Sequence, residues 1–255
     1  MAAAPAPRSD RALDALRPVE ILPRFQRLAE GSVLYRAGGT VVLATASVDE
    51  TVPEFMKGRG QGWVTAEYQM HPRANPHRRE KRDGRERSVS GRSKEIERLI
   101  GRSLRAAIDP GRLGERTVAV DCDVLEADGG TRTASVTAGW IALALAVETL
   151  RQRKLLSIPI LRDQVAAVSV GHVGGQHRLD LCYVEDSAAR VDLNLVATGR
   201  GGIVEIQGTA EGAAVPREEI DAMTTLALKG TAELCAIQLE TLERAGVDPA
   251  RVLVL

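Results

Sequence analysis

The chain has 255 residues, 44% of them hydrophobic, and a formal net charge of zero at pH 7. Such a chain can bury a full core and form one large domain or two small ones. It has no charge-free apolar run of about 18 residues, and its beginning lacks the apolar core of a secretory signal. We therefore expect a cytoplasmic protein without a membrane partner.

Neither the cysteines nor the histidines form a recognisable metal motif. The three cysteines are odd in number and far apart, which argues against a disulfide framework and a zinc knuckle, and we interpret them as buried thiols. The four histidines lack H-E-x-x-H spacing, so none is predicted to bind a metal.

The first third of the chain predicts a tail, strands and a basic loop. Residues 1–15 are rich in alanine and proline and predict a disordered tail. The β-branched segments at 32–48 and 62–70 predict strands, and "RAGG" within the first predicts a hairpin turn. The segment from Arg73 to Lys94 carries many more basic than acidic residues. It predicts either a solvated surface loop or an arm that contacts a polyphosphate, and its charge leaves both open.

Two helices and a strand follow this loop. In "SKEIERLIGRSLRAAI" the apolar residues have helical spacing, and Ser93 is the predicted N-cap. In "RTVAVDCDVLEA" the valines and Cys122 alternate with Asp121 and Asp123, which predicts a strand. The segment after "GGTRTAS" is apolar almost all round, which predicts a buried helix that ends near "RQRK".

The second half of the chain predicts four strands and then two helices, from about residue 217 to residue 245. Because strands and helices are mixed along the chain, we predict an α+β fold in which helices pack on β-sheets. No segment resembles a linker, so we predict one domain over residues 16–246. Residues 247–255 form a C-terminal tail whose "RVLVL" segment packs on a neighbour, adds a strand or frays.

The "GGTRTAS" segment raises the question of what Arg132 does at the entrance of a buried helix. Gly129 and Gly130 would let a ligand approach the backbone, and the N–H groups of the helix end attract anions. Arg132 adds a planar set of donors that suits phosphate oxygens. The alternative is an ordinary turn in which Arg132 pairs with a carboxylate such as Asp128.

Three further residues are candidates for the same chemistry. Arg92 lies directly before the predicted start of the other early helix, where it is either a second anion ligand or a solvated residue of the loop. Asp186 and Asp192, on a turn and on a strand, could converge on a hard divalent cation such as Mg²⁺. Solvated acidic residues at a strand end are the alternative. Asn194 shares the strand face of Asp192.

Eight segments of the sequence resemble the bacterial ribonuclease PH family in order and spacing. They are "LRPVEI", "AEGSVLYRAGGTVVLATASV", "GQGWVTAEYQMHPR", "GRSKEIERLIGRSLRAAID", "DCDVLEADGGTRTAS", "AAVSVG", "YVEDSAARVDLNLV" and "VEIQGTAEG", between about Asp14 and Leu242. The resemblance implies a ribonuclease PH-like α+β core of the ribosomal protein S5 domain 2-like type. It also implies a phosphate-dependent 3′-to-5′ exoribonuclease that trims tRNA precursors, releases nucleoside 5′-diphosphates and runs in reverse as a nucleotidyltransferase.

The resemblance assigns roles to individual residues. The positions that match the family's phosphate-binding residues are Arg92, Gly130, Thr131 and Arg132. The positions that match its Mg²⁺ or Mn²⁺ ligands are Asp186 and Asp192, and these two aspartates and two arginines are the implied catalytic residues. The basic loop resembles the segment that guides the RNA 3′ end, with Arg73, Arg78 and Arg79 as implied contacts. Here "AEYQMHPRANPHRREKRDGR" departs from the commoner "AEYGMLPR".

The resemblance also implies partners. They are tRNA precursors and other RNA 3′ ends as substrates, inorganic phosphate as co-substrate, and a homohexamer built as a trimer of dimers. The alternative is a ring subunit that binds RNA without catalysis, as in some exosome-type relatives. The presence of both arginines and both aspartates favours catalysis. A small-molecule kinase would need a glycine-rich nucleotide loop, which the sequence lacks.

Overall fold

A computed structural model describes residues 8–75, 79 and 91–254. Within these residues, nine strands form two β-sheets and five α-helices pack on them or connect their strands. This is the α+β architecture predicted from the mixture of strand and helix patterns.

The first sheet contains the early strands. They are β1 (Val19–Pro23), β2 (Gly31–Ala37), β3 (Thr40–Asp49), β4 (Trp63–Met70) and β5 (Thr117–Glu126), in the order β1-β2-β3-β5-β4. The predicted "RAGG" hairpin joins β2 to β3, with Gly38 in the left-handed region at φ 54°. Only β4 and β5 are parallel, and α1 (Gly91–Ala106) and α2 (Pro110–Leu113) lie in the connection that parallel neighbours require.

The second sheet is antiparallel. Its strands are β6 (Val165–Val173), β7 (Gln176–Leu179), β8 (Val191–Thr198) and β9 (Ile203–Ala210), in the order β7-β6-β8-β9. The strand predicted to run through "HRLDLCYV" ends early. Asp180 adopts a left-handed conformation, at φ 54°, and the chain then forms the short helix α4 (Tyr183–Asp186).

The predicted buried helix is confirmed as α3 (Thr131–Gln152), which contacts both sheets. It is long and apolar enough to cross a membrane by length and composition, but 94% of its most apolar 18-residue window is buried inside the protein. Trp140, at its middle, is fully buried, and its indole N–H donates to the backbone oxygen of Asp163 at 3.1 Å. The helix is therefore the central element of the core.

Two helix predictions need correction. The end of the chain forms one 28-residue helix, α5 (Arg217–Arg244), instead of two, because Gly230 packs closely on β7 without breaking the helix. A Cβ at Gly230 would lie 2.8 Å from Cδ1 of Leu179. Helix α1 begins at Gly91, so Ser93 lies in its first turn instead of capping it.

Both termini are more ordered than expected within the described residues. Residues 8–15, predicted as part of a tail, lie against the second sheet because the Arg8 guanidinium donates to both carboxylate oxygens of Glu185, at 2.7 and 2.8 Å. Residues 1–7 lie outside the described part of the chain. Near the C-terminus, Leu161 exchanges backbone hydrogen bonds with Val252 and Val254, so this segment packs on its own chain.

Cys122 and Cys235 are buried as predicted, and their burial raises the pKa of both thiols. Cys182 differs, because it is half-buried at the start of α4. None of the three forms a disulfide.

A buried ion pair joins the beginning of the chain to the end of β7. Arg17 and Asp180 are 4% and 6% exposed, and their side chains are in contact at 2.7 Å. Burial acts to lower the pKa of Arg17, but the hydrogen bond and charge of Asp180 outweigh it, so that pKa is raised. The same guanidinium donates to the backbone oxygen of Asp128 at 2.7 Å, which fixes the turn before α3.

Replacement of Asp180 should be strongly destabilising. Asp180→Asn leaves the buried Arg17 without its counter-charge, and we expect the free energy of unfolding to fall by about 3–5 kcal/mol. Urea denaturation at fixed protein concentration measures this change. The control is Lys229→Ala, which removes an exposed ion pair with Asp14 and should change the stability little. Equal losses in the two variants would contradict the role assigned to the buried pair.

Candidate active site

The site lies where the turn after β5 enters α3. Gly129 and Gly130 are in the left-handed region, with φ 78° and 64°. A Cβ at Gly129 would lie 2.6 Å from the backbone oxygen of Leu181 and 2.8 Å from the backbone nitrogen of Tyr183. Because only glycine tolerates both this φ and this contact, the turn packs directly against the start of α4.

Hydrogen bonds hold this turn in place. Thr40 Oγ1 donates to the backbone oxygen of Gly129 at 2.6 Å and accepts from the backbone N–H of Asp128 at 3.0 Å. The Asp128 carboxylate accepts from the backbone N–H of Tyr183 at 3.2 Å. The N-cap of α3, Gly130, makes no side-chain hydrogen bond to the first N–H groups of the helix, and uncapped N–H groups of this kind suit an anion.

Arg132 connects three elements. Its guanidinium donates to the side-chain oxygen of Gln207 in β9 at 2.9 Å and to the carboxylate of Glu95 in α1 at 3.3 Å. The ordinary-turn alternative predicted a carboxylate partner such as Asp128, and Arg132 does contact a carboxylate, but it is that of Glu95. Sequence reasoning missed Glu95 and Gln207, although both lie in segments that carry the family resemblance.

Tyr68 of β4 is a second residue that sequence reasoning missed. Its hydroxyl shares a hydrogen bond of 2.9 Å with Oγ1 of Thr131, in the first turn of α3. Burial raises the pKa of Tyr68, whereas Thr131 and the charges of Arg92 and Arg132 act to lower it. Both arginines are thus close to the same phenol. Arg92 itself is exposed and lies in the first turn of α1 instead of before it.

The two predicted metal ligands lie beside these arginines. Asp186 is the last residue of α4, and Asp192 is in β8 between Gly171 of β6 and Thr209 of β9. Burial, and then the charge of Asp186, raises the pKa of Asp192 to about 6. Burial also raises the pKa of Asp186.

The arginines act on both carboxyl groups in the opposite direction. The positive charges of Arg92 and Arg132 lower the pKa of Asp186 and of Asp192, although burial outweighs them. The predicted phosphate-binding arginines and metal-binding aspartates are therefore brought together in one site. Two half-buried carboxylates that repel each other, opposite two guanidinium groups, form a site suited to binding a cation and an anion together.

Two neighbouring residues support the carboxylates. Asn194 is on the same strand face as Asp192, as predicted, and its side-chain N–H₂ donates to that carboxylate at 3.4 Å. Glu185 is buried and pairs with Arg8 and Arg178. Burial alone would raise the pKa of Glu185, but the hydrogen bonds and charges of these arginines lower it to about 2. Glu185 therefore has a structural role beside the site, and its ion pairs with Arg8 and Arg178 occupy the carboxylate that a metal would need.

The predicted RNA contacts are only partly described. Arg73 and Arg79 are exposed, and the backbone N–H of Arg73 donates to Nδ1 of His71 at 3.4 Å. Arg78 lies outside the described residues. The RNA-binding role of these three arginines stays a prediction.

Two family models match most of the chain. Residues 15–147 match the first domain of the 3′ exoribonuclease (RNase PH) family, and residues 163–242 match its second domain. Ribonuclease PH of Syntrophomonas wolfei subsp. wolfei (strain DSM 2245B / Goettingen) is 49% identical over 229 residues, which are 90% of this chain and 95% of the relative.

Solved structures of low identity share the fold. An Archaeoglobus fulgidus exosome with RNA bound to its active site has a TM-score of 0.72 at 23% identity and covers 88% of this chain and 89% of its own. Rice (Oryza sativa) Rrp46 has a TM-score of 0.74 at 18% identity and covers 92% and 98%. These similarities confirm the ribonuclease PH-like fold.

The chain therefore belongs to the 3′ exoribonuclease (RNase PH) family. Within this family it is an enzyme, a phosphorolytic 3′ exoribonuclease, as its identity to the ribonuclease PH relative shows. The exosome-like structures are less similar in sequence, so they do not favour the alternative of a non-catalytic ring subunit.

The raised pKa of Asp192 predicts a stability change with a defined pH dependence. The pKa rises from 3.8 to about 6 on folding, so the ionised carboxylate costs stability above pH 6, and protonation removes that cost as the pH falls towards 3.8. Because the Asp192 carboxylate is partly exposed, solvent screens part of this cost. We therefore expect Asp192→Asn to raise the free energy of unfolding by about 1–2 kcal/mol near pH 8. This gain should vanish near pH 4.

Urea denaturation in the presence of EDTA, at both pH values, checks this expectation. Asp221→Asn is the control, because Asp221 is exposed and forms only a surface ion pair with Arg217. It should change the stability little at either pH. A gain for Asp192→Asn that is equal at the two pH values would contradict the electrostatic cause.

Proposed function

We propose that the enzyme binds inorganic phosphate between the first turns of α1 and α3. Arg92 and Arg132 would contact the phosphate oxygens, and the backbone N–H groups at Gly130 and Thr131 would add donors. The observation that carries this proposal is that both arginines act on the same pair of carboxylates and on Tyr68. Gln207 and Glu95 would orient Arg132 before phosphate enters.

The reaction follows from this placement. An oxygen of the bound phosphate attacks the phosphorus of the terminal 3′,5′ linkage, and the bond from that phosphorus to the 3′ oxygen of the preceding nucleotide breaks. The products are a nucleoside 5′-diphosphate and an RNA shortened by one nucleotide, whose 3′ oxygen takes a proton. Phosphate is already an ionised nucleophile, so the chain need not supply a general base. Because a phosphate ester is exchanged for an anhydride, the reaction is reversible and extends RNA when nucleoside diphosphate is in excess.

Asp186 and Asp192 would hold a divalent cation, Mg²⁺ or Mn²⁺. Their oxygen donors are those that hard cations prefer, and the mutual repulsion that raises the pKa of Asp192 is relieved when a cation binds between them. When bound, the cation would offset negative charge on the transferred phosphoryl group and on the leaving oxygen. Asn194 keeps the Asp192 carboxylate oriented, and Glu185 anchors the helix that carries Asp186.

The substrates we propose are the 3′ ends of tRNA precursors and of other RNAs in the cytoplasm. Aromatic residues are only 3% of the chain, so base stacking is scarce and contacts should be mainly to the phosphate backbone. Arg73, Arg78 and Arg79 would supply such contacts.

We also propose a homohexamer, a trimer of dimers. Basic loops from several subunits would then surround one RNA, and the affinity of the assembly for that RNA would exceed the affinity of a single subunit. Sedimentation velocity at working concentration should give a mass about six times that of the chain. A monomer would contradict this assembly.

The sharpest test of the phosphate site is Arg132→Ala. We expect kcat/KM for phosphate to fall by about 100-fold or more, because a donor that faces the attacking anion is lost, while RNA affinity changes little. Phosphate-dependent shortening of a labelled RNA gives the rate, and chromatography of the released nucleotides identifies the products. Nucleoside monophosphates as the main product would contradict phosphorolysis.

Two variants control for indirect effects. Arg153→Ala removes an arginine at the opposite end of α3, where it pairs with Glu30, and should leave the kinetics unchanged. Glu95→Gln keeps a side-chain oxygen that can orient Arg132 but removes the negative charge that opposes phosphate, and should lower the KM for phosphate. Equal losses in Arg132→Ala and Arg153→Ala would show that α3 is perturbed and would reject a specific phosphate contact.

A further inference from the structure

A second cluster of ligating side chains lies outside the site described above. His172 of β6 and His177 of β7 are cross-strand partners, and Glu219 is in the first turn of α5. One nitrogen of each imidazole and one oxygen of the carboxylate all lie within 4.8 Å of one another. No sequence motif predicts this cluster, because Glu219 is far along the chain from both histidines.

The cluster is separate from the phosphorolytic site. His172 is paired with Val191 across β6 and β8, whereas Asp192 is paired with Gly171. Because successive side chains of a strand point to opposite faces, His172 lies on the face opposite Asp192, where α5 packs. The two histidines and Glu219 therefore serve no step of the proposed reaction.

A positive group already occupies this cluster. One nitrogen of the Arg190 guanidinium lies 2.7 Å from each oxygen of Glu219 and 2.9 Å from Nδ1 of His172. The side chain of Arg190 is 40% exposed, so it can leave the cluster without leaving a cavity in the core. Two oxygens of Glu219 and Nδ1 of His172 thus converge on the Arg190 guanidinium, which another cation could replace.

Nδ1 of His172 lies beside both the Glu219 carboxylate and the Arg190 guanidinium. A metal ion bound in place of Arg190 would accept a lone pair from Nδ1, from the carboxylate and from His177, whose ligand atoms have a suitable spacing. Two imidazoles and one carboxylate are the ligands that Zn²⁺ prefers, with water in the fourth position.

We propose that His172, His177 and Glu219 form a binding site for a divalent transition metal, with Zn²⁺ as the best fit, in which the metal displaces Arg190. The bound metal would link the β6–β7 hairpin to the first turn of α5. Such a link joins elements that are otherwise held at this point by partly buried ion pairs, and a metal that binds only the folded chain should raise its thermal stability.

The test uses the full-length untagged protein, stripped with EDTA and titrated with Zn²⁺ by calorimetry. His177→Gln should weaken this binding event by about tenfold or more, and Arg190→Gln should tighten it, because the competing guanidinium is gone. Co²⁺ offers a second readout, since its visible absorption reports imidazole and carboxylate ligands and should be lost in His177→Gln. Thermal unfolding with Zn²⁺ should shift upward in the wild-type protein and in Arg190→Gln, and much less in His177→Gln.

Two controls separate this site from others. His71→Gln changes an exposed histidine outside the cluster and should keep the binding event. Asp192→Asn removes a carboxylate of the phosphorolytic site and should also keep it. Zn²⁺ affinity and Co²⁺ spectra that are the same in wild type and His177→Gln would overturn the proposal. Absence of binding in both wild type and Arg190→Gln would overturn it as well.

Discussion

The ion pair between Arg17 and Asp180 is the interaction on which the active site depends. Both charges are buried, and the same guanidinium also binds the backbone oxygen of Asp128. One side chain thus fixes the turn before α3, which carries the proposed phosphate-binding residues, and the segment that leads into α4, which carries a proposed metal ligand. The close contact between Gly129 and the backbone at Leu181 is possible only because these two segments are held at that distance.

The fold holds side chains of like charge close together in this site, at an electrostatic cost. Asp186 and Asp192 are partly buried beside each other, and Arg92 and Arg132 are brought close to a buried phenol. In the absence of ligands, opposite charges across the site offset only part of this repulsion. Binding of the proposed phosphate to the arginines and of the proposed cation to the aspartates would neutralise both pairs. The folding free energy of the rest of the chain therefore offsets the electrostatic cost of this site before ligands bind.

The sequence predicted the features that depend on local periodicity. Alternation of valines with Asp121 and Asp123 defined β5, and the apolar run after "GGTRTAS" defined α3. Arg132 was recognised because a charge at the mouth of a buried helix needs a partner. What the local pattern could not supply was the identity of partners across elements: Glu95 and Gln207 for Arg132, or Tyr68 for Thr131. The two-helix prediction was also wrong, because residues 217–244 form one helix in which Gly230 packs on Leu179 of β7.

The N-terminal segment has a closer connection to catalysis than its composition suggests. Arg8 has only 1% of its side chain exposed, and it holds Glu185, the residue directly before Asp186. The carboxylate that would bind the metal is thus anchored through its neighbour to the eighth residue of the chain. Proteolytic removal of Arg8, or a rigid fusion that displaces it, would weaken the binding of the proposed metal, although Arg8 lies far along the chain from Asp186 and Asp192.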